Sequence, residues 1–412
     1  MSYPFFFTWT AQQNAKPLDI RGGEGAWFDT ADGARWLDMG SLVFQASLGH
    51  GNRRMVHAIK AQAERLALSY PSAVYPEKVA LAEKLLAHAP PGFSKVFFTL
   101  GGSDATENAI KIARLASGRH KLISRYRSYH GATMGAVSLG GDYRRPPVEP
   151  GLAGVVHVDD FAFMARGEKG AKPQSQIPSI LELEGPSTVA AVFLESVVGA
   201  NGALIPPPGY LEEVRAACDA HGVLLVMDEV LAGFGRTGKW FGFEHWPGVV
   251  PDLITCGKAI TAGYGTLGAV LVHERVARVF ETKVLHAGLT FYAHPLAVAA
   301  GLEALTIYEE EKLIERAAGL ETKLHAGLEG LRAAFPEVVR ENRVLGLFSG
   351  TDLALEQAAW AKFDAALRRE NVLVHVRPHV GTLMLSPPLI IGEDELDEGF
   401  RRIHRALGEA LA

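Results

Sequence analysis

The chain has 412 residues, 48% of them hydrophobic and 21% charged, with a net charge of −5 at pH 7. These totals are typical of a soluble protein of two or three packed units, and they exclude a broad basic surface for nucleic acid. No apolar stretch reaches membrane-spanning length and no basic leader precedes one, so we expect neither a membrane helix nor a signal peptide. Cys218 and Cys256 lie far apart without metal-binding spacing, which predicts no metal site and a reducing compartment, the cytoplasm.

The first 50 residues predict an irregular N-terminal arm that forms part of a small domain. Within it, GAWFDTADGARWLDM is typical of two strands around a turn at residues 31–33. Residues 53–70 and 76–89 carry apolar positions at helical spacing.

Short apolar runs alternate with helices from about residue 95. The runs are KVFFT, KLIS, VAAVFLE, GVLLVMDE, DLIT and LGAVLV, and the helices between them include residues 104–116 and 210–221. Runs this apolar suit strands covered on both faces, as in a parallel sheet. Residues 165–187 predict a surface excursion with a short helix near residues 180–183. We therefore expect a large α/β domain over residues 51–295.

The last part of the chain predicts a smaller α+β domain over residues 296–412. A long helix rich in alanine and leucine begins near residue 296, and strands are expected near residues 344–349, 372–376 and 382–386. A helix closes the chain.

Two turns that follow predicted strands can bind a ligand. In TLGGSDATENAIKIAR, Gly102 and Ser103 precede a helix, where free N–H groups attract anions such as phosphate. A plain serine-capped turn fits equally well, and the pattern is neither a nucleotide P-loop nor a dinucleotide motif. In SRYRSYHGATMGA, Tyr129 and His130 follow a strand where α/β proteins place ligands, and an aromatic ring there can stack on a planar cofactor. A tyrosine packed in a loop is the simpler alternative.

A third stretch, GVLLVMDEVLAGFGRTG, places Asp228 at the end of an apolar strand, where an acid needs a partner. A pyridinium nitrogen would be such a partner, and Val230 could press on the same ring. A metal site at Asp228 and Glu229 is the rival interpretation, but no third ligand is spaced to complete it.

A fourth stretch, PDLITCGKAITAG, surrounds Lys258 with small or apolar residues. This is either a lysine that reaches to solvent from a strand end or an amine kept from water as a nucleophile. Thr290 precedes a helix predicted to begin near Pro295, so its hydroxyl could meet an anion. Pyridoxal phosphate needs a phosphate cradle, a stacking ring, an acid and an amine, and here these follow one another on successive strand ends.

The chain resembles the class III pyridoxal-phosphate aminotransferases (the ω-aminotransferase group) of fold type I over essentially its whole length. GGSDATENAIKIAR, YHG, DEVLAGFGRTG, DLITCGKAITAGYGTLGAV, GLTFYAHPLA and LSPPL occur in the family's order and spacing. The resemblance implies a large domain with a mostly parallel seven-stranded sheet and a smaller α+β domain built from the N- and C-terminal segments. It also implies a homodimer or tetramer with active sites at the interface.

The resemblance further assigns a role to each site residue. Lys258 would form the imine link to the cofactor and move the proton, and Asp228 would pair with the pyridine nitrogen. Thr290 would reach the phosphate in the other subunit. The remaining cofactor contacts would be Gly102 and Ser103 at the phosphate, Tyr129 and Val230 on the two ring faces, and His130 and Glu195 nearby. For Glu195, a strand-end acid that caps a loop remains an alternative.

Several positions concern the substrate. Met384 stands where 4-aminobutyrate enzymes of the family carry an arginine, which disfavours a strict 4-aminobutyrate enzyme, and Thr266 replaces a common proline without consequence for the chemistry. Arg377 matches the mobile, carboxylate-binding arginine of amine- and β-alanine–pyruvate-type members, although a surface arginine on a turn is an alternative. Trp9 and Phe44 are candidates for an apolar wall. The stretches RYRSYHG and GKWFGFEHW are most similar to the sequences of taurine or other ω-amino acid transaminases.

These features together predict a ping-pong transaminase. It would move an amino group from an ω-amino acid or amine, such as taurine, β-alanine, 4-aminobutyrate or a primary amine, to a keto acid such as pyruvate or 2-oxoglutarate. Small-molecule donors and acceptors are its expected partners, without nucleic acid or membrane. An aminomutase or racemase would use the same residues, and a non-catalytic relative of the fold is a third alternative, against which the intact Lys258 and Asp228 argue.

Overall fold

The computed structural model describes residues 3–159, 161 and 175–412. The strands in chain order are β1 Ile20–Glu24, β2 Trp27–Thr30, β3 Arg35–Asp38, β4 Phe93–Thr99, β5 Lys121–Arg125, β6 Val155–Val158, β7 Val189–Glu195, β8 Leu224–Asp228, β9 Leu253–Cys256, β10 Gly268–His273, β11 Val339–Leu345, β12 Phe348–Leu353, β13 Val372–Leu373, β14 His375–Arg377 and β15 Thr382–Leu385. The α-helices are Arg53–Arg65, Pro76–His88, Gly102–Ser117, Met134–Leu139, Ile177–Glu184, Tyr210–His221, Glu274–Ala277, Pro295–Glu310, Leu313–Ala334, Gln357–Arg369 and Glu393–Leu411.

The central sheet has seven strands in the order β4-β10-β9-β8-β7-β5-β6. Strands β5 to β9 pair in parallel, while β10 runs antiparallel to both β4 and β9. All seven residues of β7 are buried, as expected for a strand covered on both faces. The mostly parallel seven-stranded sheet implied by the family resemblance is thus confirmed, and the six apolar runs of the sequence correspond to every strand of it except β6.

The parallel strands bring chemically active residues to one edge of the central sheet. Glu195 closes β7 and Asp228 closes β8, and the two residues are paired in register. Thr255 of β9 is paired with Asp228 from the other side, so Lys258 follows only three residues beyond the same edge. Ligands of open α/β sheets bind outside the carboxyl ends of the strands.

Two smaller sheets have the strand orders β1-β2-β3-β13 and β11-β12-β15-β14. The short β13 pairs in parallel with β3, with Val372 opposite Leu37 and Leu373 opposite Asp38. The first 40 residues and the C-terminal segment therefore share a sheet, although they lie more than 300 residues apart in sequence.

Several element boundaries differ from the sequence predictions. The helix expected over residues 53–70 ends at Arg65, and the long helix from residue 296 breaks near Lys312, whose φ of 51° is left-handed. The single strand expected near residues 344–349 is a hairpin of β11 and β12, because Gly346 turns the chain with φ of 59°. Residues 165–174 of the predicted excursion lie outside the described residues, but its short helix is present at Ile177–Glu184.

None of the helices in the described part of the chain combines the length and apolarity needed to cross a membrane. Within residues 3–159, 161 and 175–412, no group of three or more His, Cys, Asp or Glu side chains is placed to hold a metal ion. Cys218 and Cys256 are both buried and free.

Candidate active site

A cavity of about 290 Å³ opens at the carboxyl edge of the central sheet. It is lined by Trp9, Val43, Phe44, Gly102, Ser103, Tyr129, His130, Gly131, Arg144, Glu195, Ala200, Asp228, Val230, Leu231, Lys258 and Arg377. The structure therefore brings together every predicted site residue except Thr290. That residue lies on an exposed stretch before the helix that begins at Pro295, as its expected reach into another subunit would require.

Lys258 lies at the cavity wall, two residues after β9, in a backbone turn with φ of 44°. Enclosure by protein lowers the pKa of its amine from the usual 10.5, because a charged ammonium is poorly solvated there. Asp228 and Glu195 act in the opposite direction and raise the pKa, and Arg144 lowers it. The net lowering makes the neutral, nucleophilic amine available at a lower pH than for an exposed lysine.

Asp228 is 5% exposed and its carboxylate is held from two sides. The backbone N–H of Val230 donates to Oδ1 at 3.0 Å, and Nδ1 of His130 lies 2.7 Å from Oδ2. Because a carboxylate can only accept, Nδ1 of His130 carries the hydrogen of that contact. The other ring nitrogen of His130 lies 3.3 Å from Oγ of Ser124. This chain of contacts fixes the direction in which the Asp228 carboxylate faces the cavity.

Gly102 and Ser103 begin a helix of 16 residues, so free backbone N–H groups face this end of the cavity. A Cβ on Gly102 would lie 2.7 Å from Cγ1 of Val230, so only glycine fits there. Oγ of Ser103 accepts the N–H of Ala132 at 3.1 Å, which leaves its own hydrogen free to donate to an anion. A Cβ on Gly131 would come within 2.4 Å of that Oγ, so the neighbouring loop approaches closely as well.

Glu195 connects the end of β7 to two loops. Its Oε1 accepts the N–H of Tyr129 at 3.1 Å and its Oε2 accepts the N–H of Gly199 at 2.7 Å. Burial raises the pKa of Glu195, and the nearby Asp228 raises it further. These are the contacts of a loop-capping acid, the alternative weighed from the sequence, and they also fix the backbone of Tyr129 at the cavity.

Arg377 ends β14 and lines the cavity, so the alternative of a surface arginine on a turn is wrong. Its Nε donates to the carbonyl of Ala200 at 3.3 Å, and its Nη1 donates to the carbonyl of Val376 at 3.2 Å. Burial lowers the pKa of Arg377, and Arg144 lowers it further. A second cation therefore stands close to it.

That second cation, Arg144, was missed by the reasoning from sequence. Its side chain is 9% exposed, and Nη1 donates to Oδ2 of Asp142 at 2.6 Å. Its guanidinium stands 4.3 Å from the ring centroid of Tyr129 and 5.2 Å from that of Trp9. The only signal in the sequence was the arginine pair in GDYRRP, which by itself is typical of a solvated turn. Nothing in that pair shows that the turn folds against Tyr129 and Trp9.

Trp9 and Phe44 line the cavity as predicted, and Val43 joins them. The Phe44 ring stacks on His375 with a centroid distance of 4.0 Å. Trp9 stands edge-on to Tyr129 at 6.3 Å and remains 57% exposed. The cavity thus has an apolar wall, formed by Trp9, Val43 and Phe44, and an arginine wall, formed by Arg144 and Arg377, and the two meet where Trp9 lies beside Arg144.

The residues present fit pyridoxal phosphate. The glycine-lined helix start with Ser103 suits a phosphate, and the enclosed carboxylate of Asp228 suits a cationic ring nitrogen. Lys258, with its lowered pKa, suits an imine link.

Comparison with known proteins agrees with this fit. The family description "Aminotransferase class-III" matches residues 9–407. An omega-aminotransferase of Caulobacter vibrioides is 34% identical over 98% of this chain and 97% of its own length. A taurine–pyruvate aminotransferase of Bilophila wadsworthia is 31% identical over 96% and 93%. The solved structure of a taurine:2-oxoglutarate aminotransferase from Bifidobacterium kashiwanohense, in complex with PLP and glutamate, has a TM-score of 0.91 and 36% identity, covering 98% of this chain and 95% of that one.

These relatives favour amino transfer over the aminomutase, racemase and non-catalytic alternatives, because each is named as an aminotransferase. Amino transfer between ω-amino compounds and keto acids, with pyridoxal phosphate as cofactor, is the activity that the family and its fold carry. The chain therefore belongs to the class III aminotransferases, pyridoxal-phosphate enzymes of fold type I.

Proposed function

We propose that this aminotransferase takes its amino group from an ω-amino acid or primary amine and prefers a keto acid with two carboxylates, such as 2-oxoglutarate. The observation that carries the proposal is that Arg377 and Arg144 share one cavity with Lys258. A single guanidinium is enough for the carboxylate of pyruvate. A second one gives the distal carboxylate of a longer keto acid a charged partner.

The apolar wall and the arginine wall suit the two half-reactions of a ping-pong enzyme. A keto acid needs a cation, whereas an amine without a carboxylate needs an apolar surface. The carbonyl contacts of Arg377 are neutral and weaker than a contact with a carboxylate, so its side chain can leave them when an anion arrives. We therefore assign Arg377 to the acceptor's carboxylate next to the keto group, and Trp9 and Phe44 to the apolar part of the donor.

For the chemistry we assign Lys258 and Asp228 as the catalytic residues. Lys258 would hold the cofactor through its amine, and when free its Nζ would take the proton from the substrate Cα and pass it to the cofactor, not back to Cα, as amino transfer requires. The bound cofactor supplies an electron sink for the pair left at that carbon. Asp228 keeps a positive charge favourable on the ring nitrogen, and His130 holds the Asp228 carboxylate in place.

Five further residues would hold the cofactor. Gly102 and Ser103 bind its phosphate, Tyr129 and Val230 enclose its ring, and Glu195 fixes the backbone of Tyr129. The close packing of Val230 against Gly102 supports this arrangement, because it brings the ring wall and the phosphate cradle together.

The finer organisation is also part of the proposal. Phe6 and Phe291 are 85% and 60% exposed, which suits burial against a second copy of this chain in a homodimer. In that dimer Thr290 would reach the phosphate of the other subunit. We divide the chain into an arm at residues 1–50, a cofactor-binding domain at 51–295 and a small domain at 296–412. The two buried, free cysteines suit a reducing cytoplasm.

A donor and acceptor panel tests the function. Taurine, β-alanine, 4-aminobutyrate and a primary arylalkylamine would each be paired with pyruvate and with 2-oxoglutarate, and the cofactor's absorbance would report each half-reaction. We expect conversion with at least one donor and a higher kcat/KM for 2-oxoglutarate than for pyruvate. A preference for pyruvate would reject the two-carboxylate acceptor, and no conversion with any pair would reject the donor class.

A further inference from the structure

The turn at residues 40–45 forms part of the apolar cavity wall and has an unusual backbone. Ser41, Leu42 and Phe44 all have positive φ values of 48°, 55° and 66°, although none of them is glycine. Leu42 is the most extreme, because its ψ of −97° lies outside even the left-handed helical region that other residues tolerate. Such a conformation persists only when the surrounding structure holds it.

Asp38 holds one side of this turn. This residue is fully buried at the end of β3, and its Oδ1 accepts the N–H of Gly40 at 3.1 Å. The N–H of Leu42 donates to Oδ1 at 3.0 Å and to Oδ2 at 2.9 Å. Nε2 of His50 lies 2.9 Å from Oδ2 and is the third partner of this carboxylate. The carboxylate thus binds the most strained residue of the turn through both of its oxygens.

The far side of the turn is tied to the small domain and to the arginine wall. Nε2 of His375 lies 3.0 Å from the carbonyl of Gly40, and its ring stacks on Phe44. His375 stands two residues before Arg377 on β14. The position of the Phe44 ring is therefore set by contacts on both sides of the strained turn.

We propose that Asp38 is a positioning residue for substrate choice: its carboxylate holds Leu42 in a conformation that suits glycine, and thereby fixes Phe44 as the surface that receives the apolar part of the donor. The inference rests on the proposed function for the identity of the donor. Asp38 does not line the cavity, and it would act on the reaction only through the turn that carries Val43 and Phe44. Its loss should therefore affect donor binding more than the chemical step.

Asp38→Asn is the direct test. An asparagine keeps one acceptor, but its NH2 group faces the N–H of Leu42, so the strained turn loses its support. We expect the Michaelis constant for a primary arylalkylamine to rise about tenfold, the value that corresponds to one lost charge-assisted contact. The half-reaction with 2-oxoglutarate and the cofactor's absorbance should change less than about twofold. Equal damage to both half-reactions, or none to the donor step, would overturn the proposal.

A rescue experiment separates backbone strain from side-chain packing. Glycine adopts the Leu42 conformation without cost, so Asp38→Asn combined with Leu42→Gly should recover the donor's Michaelis constant to within about twofold. The matched control is Leu42→Ala in the same background, which removes the same side chain but keeps the backbone restriction, and it should not rescue. Equal rescue by alanine and glycine would refute the role of strain.

Thermal unfolding gives a second reading that needs neither a folded Asp38→Asn variant nor a known donor. In the otherwise native holoenzyme, Leu42→Gly should melt at or above the temperature of Leu42→Ala, the reverse of the usual order for an exposed backbone position. A glycine variant that melts several degrees below the alanine variant would show that residue 42 is unstrained. This measurement stands even if the donor panel fails, so the two proposals can fail separately.

Discussion

Replacing Arg144 with methionine should weaken the use of 2-oxoglutarate more than the use of pyruvate. Methionine keeps an unbranched side chain against the ring of Tyr129, which lies 4.3 Å from the guanidinium, but it removes the positive charge. A hydrogen bond to a charged group contributes about 1.5–3 kcal/mol, so the Michaelis constant for 2-oxoglutarate should rise about tenfold or more. Pyruvate has no second carboxylate and should lose less.

The same substitution has a side effect at Asp142, which loses its partner at 2.6 Å and then repels a nearby anion. Because the distal carboxylate would lie beside residue 144, this repulsion adds to the change expected for 2-oxoglutarate. Arg144→Lys is the matched control, since it keeps the charge without the planar fork and should retain part of the preference.

Arg377→Ala should affect the two keto acids alike. This substitution should raise the Michaelis constants of pyruvate and 2-oxoglutarate together, by about tenfold or more, and leave the half-reaction with a carboxylate-free amine much less changed. Stopped-flow absorbance of the cofactor measures each half-reaction by itself. If Arg144→Met damaged pyruvate and 2-oxoglutarate equally, or Arg377→Ala spared both, another residue would hold the carboxylates and the two-arginine acceptor site would be wrong.

Four further outcomes are expected. Lys258→Ala should bind the cofactor without a covalent link and lose turnover, and near-normal transamination by this variant, followed spectrophotometrically, would contradict the assignment. Asp228→Asn should fold but slow Cα proton removal severely in single-turnover experiments, because an amide cannot stabilise a cationic ring as a carboxylate does; unchanged rates would leave Asp228 a structural acid. A mixed dimer of Lys258→Ala and Thr290→Ala chains should keep about half of the native activity, because one site carries both changes and the other neither; a fully active monomer at assay dilution would exclude the shared site. Burial lowers the pKa of His375 from 6.5 to about 3. Below about pH 6.5 the unfolded chain therefore binds a proton that the folded chain does not, and the folded state becomes less stable as the pH decreases. His375→Gln should remove about 2 kcal/mol of the stability loss between about pH 6.5 and 5 in denaturant titrations, and an unchanged pH slope would contradict it.

The sequence predicted the central sheet well because its signal is local. Strands such as β7 are short apolar runs, because burial on both faces admits few other residue types, and the buried Glu195 at the end of β7 belongs to the site. The site motifs were equally local, since each follows a strand end and the topology of a parallel sheet then places them at one edge. Asp228 and Lys258 could be placed for this reason before any distance was known.

Features that depend on contacts between distant segments could not be predicted. The pairing of β13 with β3 joins residues more than 300 positions apart, and a two-residue strand has no pattern of its own. The role proposed for Arg144 depends on how its turn is folded against Tyr129 and Trp9. Leu42 was invisible for another reason, because a leucine with left-handed φ contradicts local propensity and reflects support from Asp38.

Two acids lie at adjoining strand ends of the central sheet, and their contacts differ. Glu195 and Asp228 are paired in register, and Asp228 raises the pKa of Glu195, so full charge on both is unfavourable. Glu195 directs its oxygens at two backbone N–H groups, which a neutral or a charged carboxyl can accept. Asp228 instead accepts from Nδ1 of His130 and from the backbone N–H of Val230. In the proposed site this division would let Asp228 face the cationic ring of the cofactor, while Glu195 shapes the wall beside it.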